Sequence, residues 1–227
     1  MTPDLDHIRA WIFDLDNTLY PAKTDLFALI DARMTAYVSR LLDLPHDEAR
    51  AVQKSYFADH GTTMRGLMDN HGVEAAEFLD DVHDIELDRI AEDQRLVAQI
   101  AALPGRKLVF TNGDATYASR VLERLGLGAS FDGIHDIHAM GLIPKPAASA
   151  YAGLCDRWGV DPHTALFVDD MARNLAPAKA LGMTTVWLDN GSEQAAKEPF
   201  TTSCPSYVDL RIEDLSDWLD TICGNDA

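Results

Sequence analysis

Short apolar runs alternate with amphipathic stretches through the second half of the sequence. The runs are rich in β-branched and aromatic residues, which favours strands, whereas the stretches repeat apolar residues every three or four positions, which favours helices. The predicted strands span residues 107–111, 133–137, 164–168 and 184–188, with one more at 207–210. The predicted helices span residues 94–103, 116–125, 147–158, 174–181 and 212–222. Because strands that alternate with helices form parallel sheets through right-handed crossovers, we predict an α/β fold.

One further predicted strand stands apart near the start of the chain. Residues 8–13, Ile-Arg-Ala-Trp-Ile-Phe, form an apolar run typical of a buried strand. The residues that follow have helical periodicity over 24–43, 46–58, 64–70 and 74–90. We therefore predict a parallel sheet flanked by helices, formed by 1–21 and 94–227, with an all-helical domain inserted at 22–93. The insertion leaves the sheet directly after the first strand, so we expect it to lie over the end of that strand.

Two carboxylates follow the first strand. Asp14 and Asp16 are two residues apart, and side chains at that spacing in a strand point the same way. Two close carboxylates repel each other unless a cation lies between them or one of them is protonated. The pair therefore predicts a divalent metal, a proton, or both. The alternative is that an Asp-x-Asp sequence only caps a turn or a helix.

Three other polar groups fall at or near the ends of predicted strands. They are Thr111-Asn112-Gly113, Lys145 and Asp169-Asp170. A parallel sheet places all of these groups at one edge, where ligands of open α/β sheets bind. Carboxylates, a hydroxyl, backbone amides and an ammonium together suit a phosphoryl group held between Mg²⁺ and lysine. Taken singly, each group also fits a turn, a solvated loop lysine or a helix N-cap.

The charge balance limits the kinds of partner. Nineteen Lys and Arg against 37 Asp and Glu give a net charge of −18, which argues against nucleic-acid polymers and anionic membranes as partners. A small phosphorylated metabolite needs only a local set of donors and stays compatible. The three cysteines have no paired or zinc-type spacing, and no apolar run is long enough to span a membrane, so we predict a cytoplasmic protein. The oligomeric state is not predicted.

The four groups, in this order, resemble the haloacid dehalogenase-like (HAD) hydrolase superfamily. The matching stretches are Asp14-Leu-Asp16-Asn17-Thr18, Thr111, Lys145 and Val168-Asp169-Asp170-Met-Ala-Arg-Asn174. The helical block at 22–93 is similar to the type-one cap of this superfamily. The resemblance implies a Rossmann-like core and, because Asp16 is present, transfer of a phosphoryl group rather than dehalogenation.

The resemblance also implies a role for each matching residue. Asp14 would attack phosphorus and form an aspartyl-phosphate, while Asp16 would protonate the leaving group and then activate water. The stretch Thr111-Asn112-Gly113, together with Lys145, would hold the phosphoryl oxygens.

The same resemblance implies Mg²⁺ as the cofactor. Its ligands would be Asp14, the backbone carbonyl of Asp16, and Asp170, with Asp169 binding through water or orienting the site. Asn174 stands where many relatives have a second aspartate, so we expect a positioning role or a substrate contact there.

Three stretches resemble the pyrimidine 5′-nucleotidase branch, which hydrolyses UMP and CMP. They are residues 16–20, 61–67 and 168–174. In this interpretation His60 or Arg65 contacts the ribose or the base, and Tyr20 packs beside the leaving group. Alternatively, Arg65 is a solvated helix residue and Tyr20 a packing contact. Other open functions are a phosphatase or mutase for phosphoglycolate or a sugar phosphate, and a ligand-binding module without catalysis.

Overall fold

A computed structural model describes residues 5–192 and 204–223, so residues 1–4, 193–203 and 224–227 of the predicted core segments lie outside the described residues. The described chain contains one six-stranded parallel sheet with the order β3-β2-β1-β4-β5-β6. The strands are β1 (Ala10–Phe13), β2 (Arg106–Phe110), β3 (Gly133–His135), β4 (Ala165–Asp169), β5 (Thr184–Leu188) and β6 (Leu210–Ile212). The predicted α/β fold with a parallel sheet is confirmed.

β1 lies in the interior of the sheet between β2 and β4, and all four of its side chains are buried. Its last residue, Phe13, is level with Val109 of β2 and with Val168 of β4. This register brings Asp14 beside the ends of both neighbouring strands. From β1 the chain builds the sheet outward through β2 and β3, then crosses to β4 on the other side. Ligands of open α/β sheets bind at such a reversal of strand order.

Nine α-helices are found in the described ranges. They are α1 (Leu26–Leu42), α2 (His46–His60), α3 (Thr63–His71), α4 (Ala75–His83), α5 (Gln94–Ala102), α6 (Ala115–Arg124), α7 (Ala148–Trp158), α8 (Ala172–Leu181) and α9 (Leu215–Cys223). The first four lie between β1 and β2 and pack on one another, for example through the edge-to-face rings of Tyr37 and Phe78, whose centroids are 5.1 Å apart. Among the described helices none is long and apolar enough to cross a membrane.

The helix predicted for residues 74–90 is wrong in its second half, since α4 ends at His83. The Arg120 guanidinium binds the carbonyl oxygens of His83 at 2.9 Å and Ile85 at 2.8 Å. Ile85 and Ile90 are buried in the hydrophobic core, and the segment between them is irregular, with a turn closed by the Ile90 N–H donating to the Leu87 carbonyl at 3.2 Å. These long-range contacts override the local helical pattern.

Smaller shifts occur at three other boundaries. α8 begins at Ala172, two residues before the predicted start, and β6 begins only at Leu210. The predicted last helix begins at Leu215 instead of residue 212, because the Asp214 carboxylate accepts a hydrogen bond from the backbone N–H of Asp217 at 2.9 Å.

Candidate active site

The chain turns sharply at the end of β1. The N–H of Asp14 continues the strand ladder by donating to the Val168 carbonyl at 2.9 Å. Asn17 then adopts a left-handed conformation with φ 59°, which asparagine tolerates better than most residues. The turn brings the Thr18 hydroxyl back to donate to Asp14 Oδ2 at 3.1 Å. Asp14 is thereby fixed at the centre of the sheet edge.

Lys145 reaches the same edge from the loop that follows β3. Its ammonium donates to Asp14 Oδ1 at 2.7 Å, to Asp169 Oδ2 at 2.8 Å and to the Phe110 carbonyl at 2.8 Å. All three donors of this buried lysine are used. Burial alone would lower the pKa of Lys145, but the two carboxylates outweigh burial and raise it. Lys145 therefore stays charged and joins β1 to β4.

The predicted phosphate-binding stretch lies next to Lys145. The Asn112 side chain accepts from the Lys145 N–H at 2.8 Å and donates to the Lys145 carbonyl at 3.2 Å. The Thr111 hydroxyl accepts from the Gly113 N–H at 3.0 Å. Asn112 thus fixes the backbone of the lysine loop, while Thr111 and Gly113 form a tight turn at the end of β2.

Three buried carboxylates form the acidic part of the site. Asp14, Asp169 and Asp170 each offer an oxygen, and these oxygens all lie within 4.8 Å of one another. Burial, followed by the neighbouring carboxylates Asp169 and Asp16 and opposed by Lys145, raises the pKa of Asp14 to about 7. Burial, and then Asp169 and Asp14, also raises the pKa of Asp170 well above its usual range. One ammonium does not balance three carboxylates, so the cluster fits a divalent cation with oxygen ligands.

The two neighbouring aspartates at the end of β4, Asp169 and Asp170, have different surroundings. Asn174 donates its amide to both oxygens of Asp169 at 3.0 Å, and the Met171 N–H donates to Asp169 Oδ1 at 2.8 Å. Together with the Lys145 contact, these bonds occupy Asp169 with protein donors. Asp170 accepts from the Ser192 hydroxyl at 2.7 Å through Oδ2. Asp170 is thus the more open of the two toward a metal.

Asp16 is held differently from Asp14. Its Oδ1 accepts two phenol hydroxyls, from Tyr20 at 2.6 Å and from Tyr117 at 2.8 Å. Burial raises the pKa of Asp16, although the tyrosine hydrogen bonds oppose this rise. Burial and the Asp16 charge raise the pKa of both tyrosines well above the usual range, so both hydroxyls remain donors. Tyr117 was not identified from the sequence, where it is one aromatic residue in the first turn of a predicted helix.

A cavity of about 150 Å³ separates this polar edge from the inserted helices. Its floor includes Asp14, Asp16, Asn112, Gly113 and Lys145. Its apolar walls come from α1, α2, α3 and α4, through Phe27, Ile30, Met34, Phe57, Met64, Phe78, Leu79 and Val82. Helices α1 to α4 thus face the end of β1 across this cavity.

A small polar cluster also lines the cavity on the side of the insertion. Asp31 accepts from Lys54 at 2.5 Å and from Gln53 at 2.7 Å through Oδ1, and from Arg50 at 3.0 Å through Oδ2. The hydrogen bonds to Lys54 and Gln53 outweigh burial and lower the pKa of Asp31. Asp31, Gln53 and Lys54 face the cavity from α1 and α2, and the sequence pattern did not single them out.

The structure places His60 and Arg65 away from the cavity. Arg65 Nε donates to Asp69 Oδ2 at 3.0 Å, one turn further along α3, and His60 Nδ1 lies 3.2 Å from the same carboxylate. Neither residue is among those that line the cavity in the described chain, whereas Thr62, Thr63 and Met64 between them are. The substrate contacts predicted for His60 and Arg65 thus gain no support. Tyr20 is fully buried beneath Asp16.

Comparison with known proteins agrees with this architecture. Phosphate metabolism protein 8 of Saccharomyces cerevisiae is 28% identical over 199 residues, which are 80% of this chain and 62% of the yeast protein, so the chain spans less than two thirds of that relative. A glyceraldehyde 3-phosphate phosphatase of Methanopyrus kandleri is 25% identical over 92% of this chain and 96% of its own.

Solved structures show the same fold at lower identity. A HAD phosphatase from Thermococcus onnurineus has a TM-score of 0.62 at 21% identity, covering 96% of this chain and 98% of its own. L-2-haloacid dehalogenase from Xanthobacter autotrophicus has a TM-score of 0.59 at 19% identity, covering 96% and 99%. The family model for haloacid dehalogenase-like hydrolases matches residues 8–182, from β1 through α8. The chain belongs to the haloacid dehalogenase-like hydrolase family.

Proposed function

We propose that this hydrolase is a Mg²⁺-dependent phosphomonoesterase that works through an aspartyl-phosphate. The observation that carries the proposal is the placement of Lys145 between Asp14 and Asp169, with Asp170 beside them and Asp16 two residues away. At one edge of the sheet this arrangement supplies Asp14 as a nucleophile, Lys145 as a positive charge and Asp16 as a proton donor. The aspartyl-phosphate and the residue roles are part of the proposal.

The proposed reaction has two steps. The Asp14 carboxylate attacks phosphorus while Asp16 gives its proton to the leaving oxygen as the ester P–O bond breaks. Asp16, now ionised, takes a proton from the water that attacks the phosphoryl group, which frees Asp14 and inorganic phosphate. For phosphoryl oxygens to bind here, Lys145 would exchange one of its three present acceptors, and the Gly113 N–H would exchange its bond to the Thr111 hydroxyl. The Thr111 hydroxyl would donate its own proton to the same group. Mg²⁺, held by Asp14, Asp170 and the Asp16 carbonyl, would offset the negative charge that accumulates there.

Asp16 favours phosphate esters over haloacids. An alkoxide is a poor leaving group and needs a proton as it departs, whereas a halide leaves as a stable anion. Asp16 is a carboxyl group with a raised pKa that two tyrosines keep in place, so it suits protonation of an alkoxide leaving group. It has no role in the departure of a halide. The dehalogenase-like fold is therefore compatible with different chemistry at the same site.

The cavity supports a pyrimidine nucleoside monophosphate as substrate. Aromatic walls at Phe27, Phe57 and Phe78 suit a flat ring. The Lys54 ammonium, which has donors beyond its bond to Asp31, can donate to a carbonyl oxygen on the edge of that ring. The volume of about 150 Å³ is close to that of an engineered cavity that takes up one benzene-sized ring. Because the same cavity includes the phosphate end, a whole nucleotide would require the inserted helices to move apart. UMP and CMP are the substrates we infer.

We also propose residues 22–93 as a cap domain on a core formed by 1–21 and 94–227. The chain passes between the two parts once near residue 22 and once near residue 93. These two crossings are held together by Arg89, which donates to Asp25 Oδ2 at 2.8 Å. The parts also meet through the Arg173 guanidinium, which lies 4.5 Å from the ring centroid of Phe57. Further contacts run from His83 to Asp114 and from Arg120 to the His83 carbonyl, and a cap that opens to admit substrate would have to break them or carry them along.

A phosphate-release screen with Mg²⁺ tests the proposal. The panel contains UMP, CMP, AMP and GMP, together with phosphoglycolate, glyceraldehyde 3-phosphate and several sugar phosphates. We expect the pyrimidine nucleotides to have the highest kcat/KM and the purine nucleotides to be poor substrates. Faster cleavage of a triose or sugar phosphate would overturn the substrate assignment alone, and conversion of one sugar-phosphate isomer into another without phosphate release would indicate a mutase.

The Asp14→Asn variant tests the chemistry itself. This change is nearly isosteric but removes the nucleophilic charge, so we expect turnover to fall by at least about 10³-fold, in the range seen when nucleophiles are removed. Circular dichroism should show an unchanged fold. Retained activity in this variant would contradict the aspartyl-phosphate route, and inactivity of the wild type on the whole panel would favour a ligand-binding module.

A further inference from the structure

We propose that Tyr20 and Tyr117 are positioning residues that leave Asp16 Oδ2 as the atom that carries the transferred proton, and that His83 of α4 keeps Tyr117 in place. The inference deepens the proposed function, because it rests on Asp16 as the general acid. It assigns a task to three side chains that do not contact phosphate in the proposed mechanism.

The two tyrosines bind the same oxygen of Asp16. Both hydroxyls donate to Oδ1, at 2.6 Å and 2.8 Å, which occupies its two acceptor positions. Oδ2 accepts no hydrogen bond from the described part of the chain, and Asp16 lines the cavity. An acid proton placed on Oδ1 would lose one of these two bonds, so the proton belongs on Oδ2. The tyrosines thereby select which oxygen faces the leaving group.

Tyr20 and Tyr117 reach Asp16 from different elements. Tyr20 is four residues along the chain, in the segment that leaves β1, and it is fully buried. Tyr117 lies in the first turn of α6 and is 1% exposed. Its backbone N–H donates to Asp114 Oδ1 at 2.9 Å, which caps the helix and fixes the start of α6. The Asp16 carboxylate is therefore hydrogen-bonded by two buried tyrosines that come from different elements.

The imidazole ring of His83 packs against one face of the Tyr117 ring. The two rings are stacked, with centroids 4.3 Å apart and an interplanar angle of 11°. His83 Nδ1 is hydrogen-bonded to Asp114 Oδ2, and the Asp114 carboxylate also caps α6 beneath Tyr117. Asp114 thus fixes the backbone of Tyr117, and His83, which is bonded to Asp114, fixes the ring.

The pair joins the insertion to the sheet domain. His83 is the last residue of α4, whereas Asp114 and Tyr117 belong to the segment after β2. Arg120, one turn after Tyr117, binds the His83 carbonyl at 2.9 Å and so fastens the same junction. While His83 at the end of α4 stacks on the Tyr117 ring, that ring stays in the position from which its hydroxyl donates to Asp16. The acid is therefore fully positioned only when the insertion is docked.

The leaving group provides a readout that general loss of structure would not give. An alkyl phosphate needs its leaving oxygen protonated, whereas nitrophenolate departs with little help from an acid. The experiment compares kcat/KM for the best alkyl monoester of the panel with kcat/KM for p-nitrophenyl phosphate, in Tyr117→Phe, Tyr20→Phe and His83→Phe. The parameter kcat/KM reports formation of the phosphoenzyme and leaves its hydrolysis out.

We expect each tyrosine variant to lose about 10-fold to 100-fold on the alkyl ester, part of the 10² to 10⁴ that a positioned acid contributes. The loss on p-nitrophenyl phosphate should stay below about threefold. His83→Phe keeps a stacked ring but loses the Asp114 contact, so we expect a smaller selective loss. Tyr37→Phe is the matched control, since its hydroxyl lies 3.3 Å from Glu77 in the insertion and outside the cavity lining.

Three outcomes would overturn the inference. They are equal losses on both esters, no loss on either, or the same tyrosine effect in an Asp16→Ala background as in the wild type. In that background we expect Tyr117→Phe to have no further effect on the alkyl ester, because the group it positions is gone. Failure of the proposed function is a separate result, namely Asp14→Asn turning over both esters at the wild-type rate.

Discussion

Competition between Mg²⁺ and a proton at Asp14 follows from the charge of the site. Burial and the neighbouring carboxylates hold the pKa of Asp14 at about 7 even with Lys145 at 2.7 Å. A carboxylate binds metal only after it loses its proton. At pH 6 about one Asp14 in ten is ionised and at pH 8 about nine in ten, so Mg²⁺ affinity should rise about tenfold, or about 1.4 kcal/mol. The raised pKa of Asp170 acts in the same direction, which makes tenfold a lower bound.

Isothermal titration calorimetry of the full chain at pH 6 and pH 8 measures this difference. Repeating each titration in two buffers of different ionisation enthalpy gives the number of protons released, and we expect more release at pH 6 than at pH 8. Asp14→Asn is the control. It removes both a ligand oxygen and the competing proton, so its affinity should be weaker and less dependent on pH. An affinity for the wild type that changes less than about twofold, with no proton release, would refute the proposed role of Asp14 as a metal ligand.

Three further changes test other parts of the structure. Lys145→Met leaves Asp14 and Asp169 without their shared cation, so urea unfolding should show a loss of about 3–5 kcal/mol in stability, together with loss of activity; unchanged stability would contradict the buried ion pairs. Lys54→Met should raise KM for UMP about fivefold to tenfold, the cost of about one hydrogen bond, and leave p-nitrophenyl phosphate unaffected; equal effects on both would remove Lys54 from the substrate site. His135 is buried, and both its ring nitrogens lack partners within the described chain. Burial, and then Arg157, lower the pKa of His135, so below the unfolded value of about 6.5 the unfolded chain binds a proton that the folded chain resists. Stability should therefore fall between pH 7.5 and pH 5.5, by at most about 1.4 kcal/mol per pH unit from this residue, and His135→Phe should flatten the slope in urea titrations; an equal slope in both proteins would refute the assignment.

The parts of the site that the sequence predicted are those fixed by strand ends. Asp14, Thr111 and Asp169 each stand within one residue of the end of β1, β2 or β4, and parallel register alone brings them together. Lys145 was predicted near the same edge, but it lies in the loop that follows β3, where strand register alone does not fix its position. Its contacts depend on the Asn112 amide, which fixes the loop backbone.

The parts that were missed depend on packing between distant elements. Tyr117 reaches Asp16 across 101 positions of sequence, and His83 meets Asp114 across 31. A helical pattern shows which face of α6 is apolar but does not show which partner that face meets. The same reason explains the helix wrongly extended to residue 90, where Arg120 and the buried Ile85 end α4 early.

The position of the insertion in the chain gives it a direct influence on the chemistry. The segment that leaves β1 carries Asp16 and Tyr20, and the segment that returns begins at His83, the residue stacked on Tyr117. Each connection between the helices and the sheet therefore carries a residue that contacts Asp16, as Tyr20 does, or that stacks on a residue contacting Asp16, as His83 does. In an insertion attached elsewhere, docking over the cavity would exclude water without moving the proton donor. Under the proposed mechanism, the contacts that hold α4 against the sheet domain also complete the positioning of Asp16. A substrate that leaves α4 poorly packed should then be bound without being efficiently protonated.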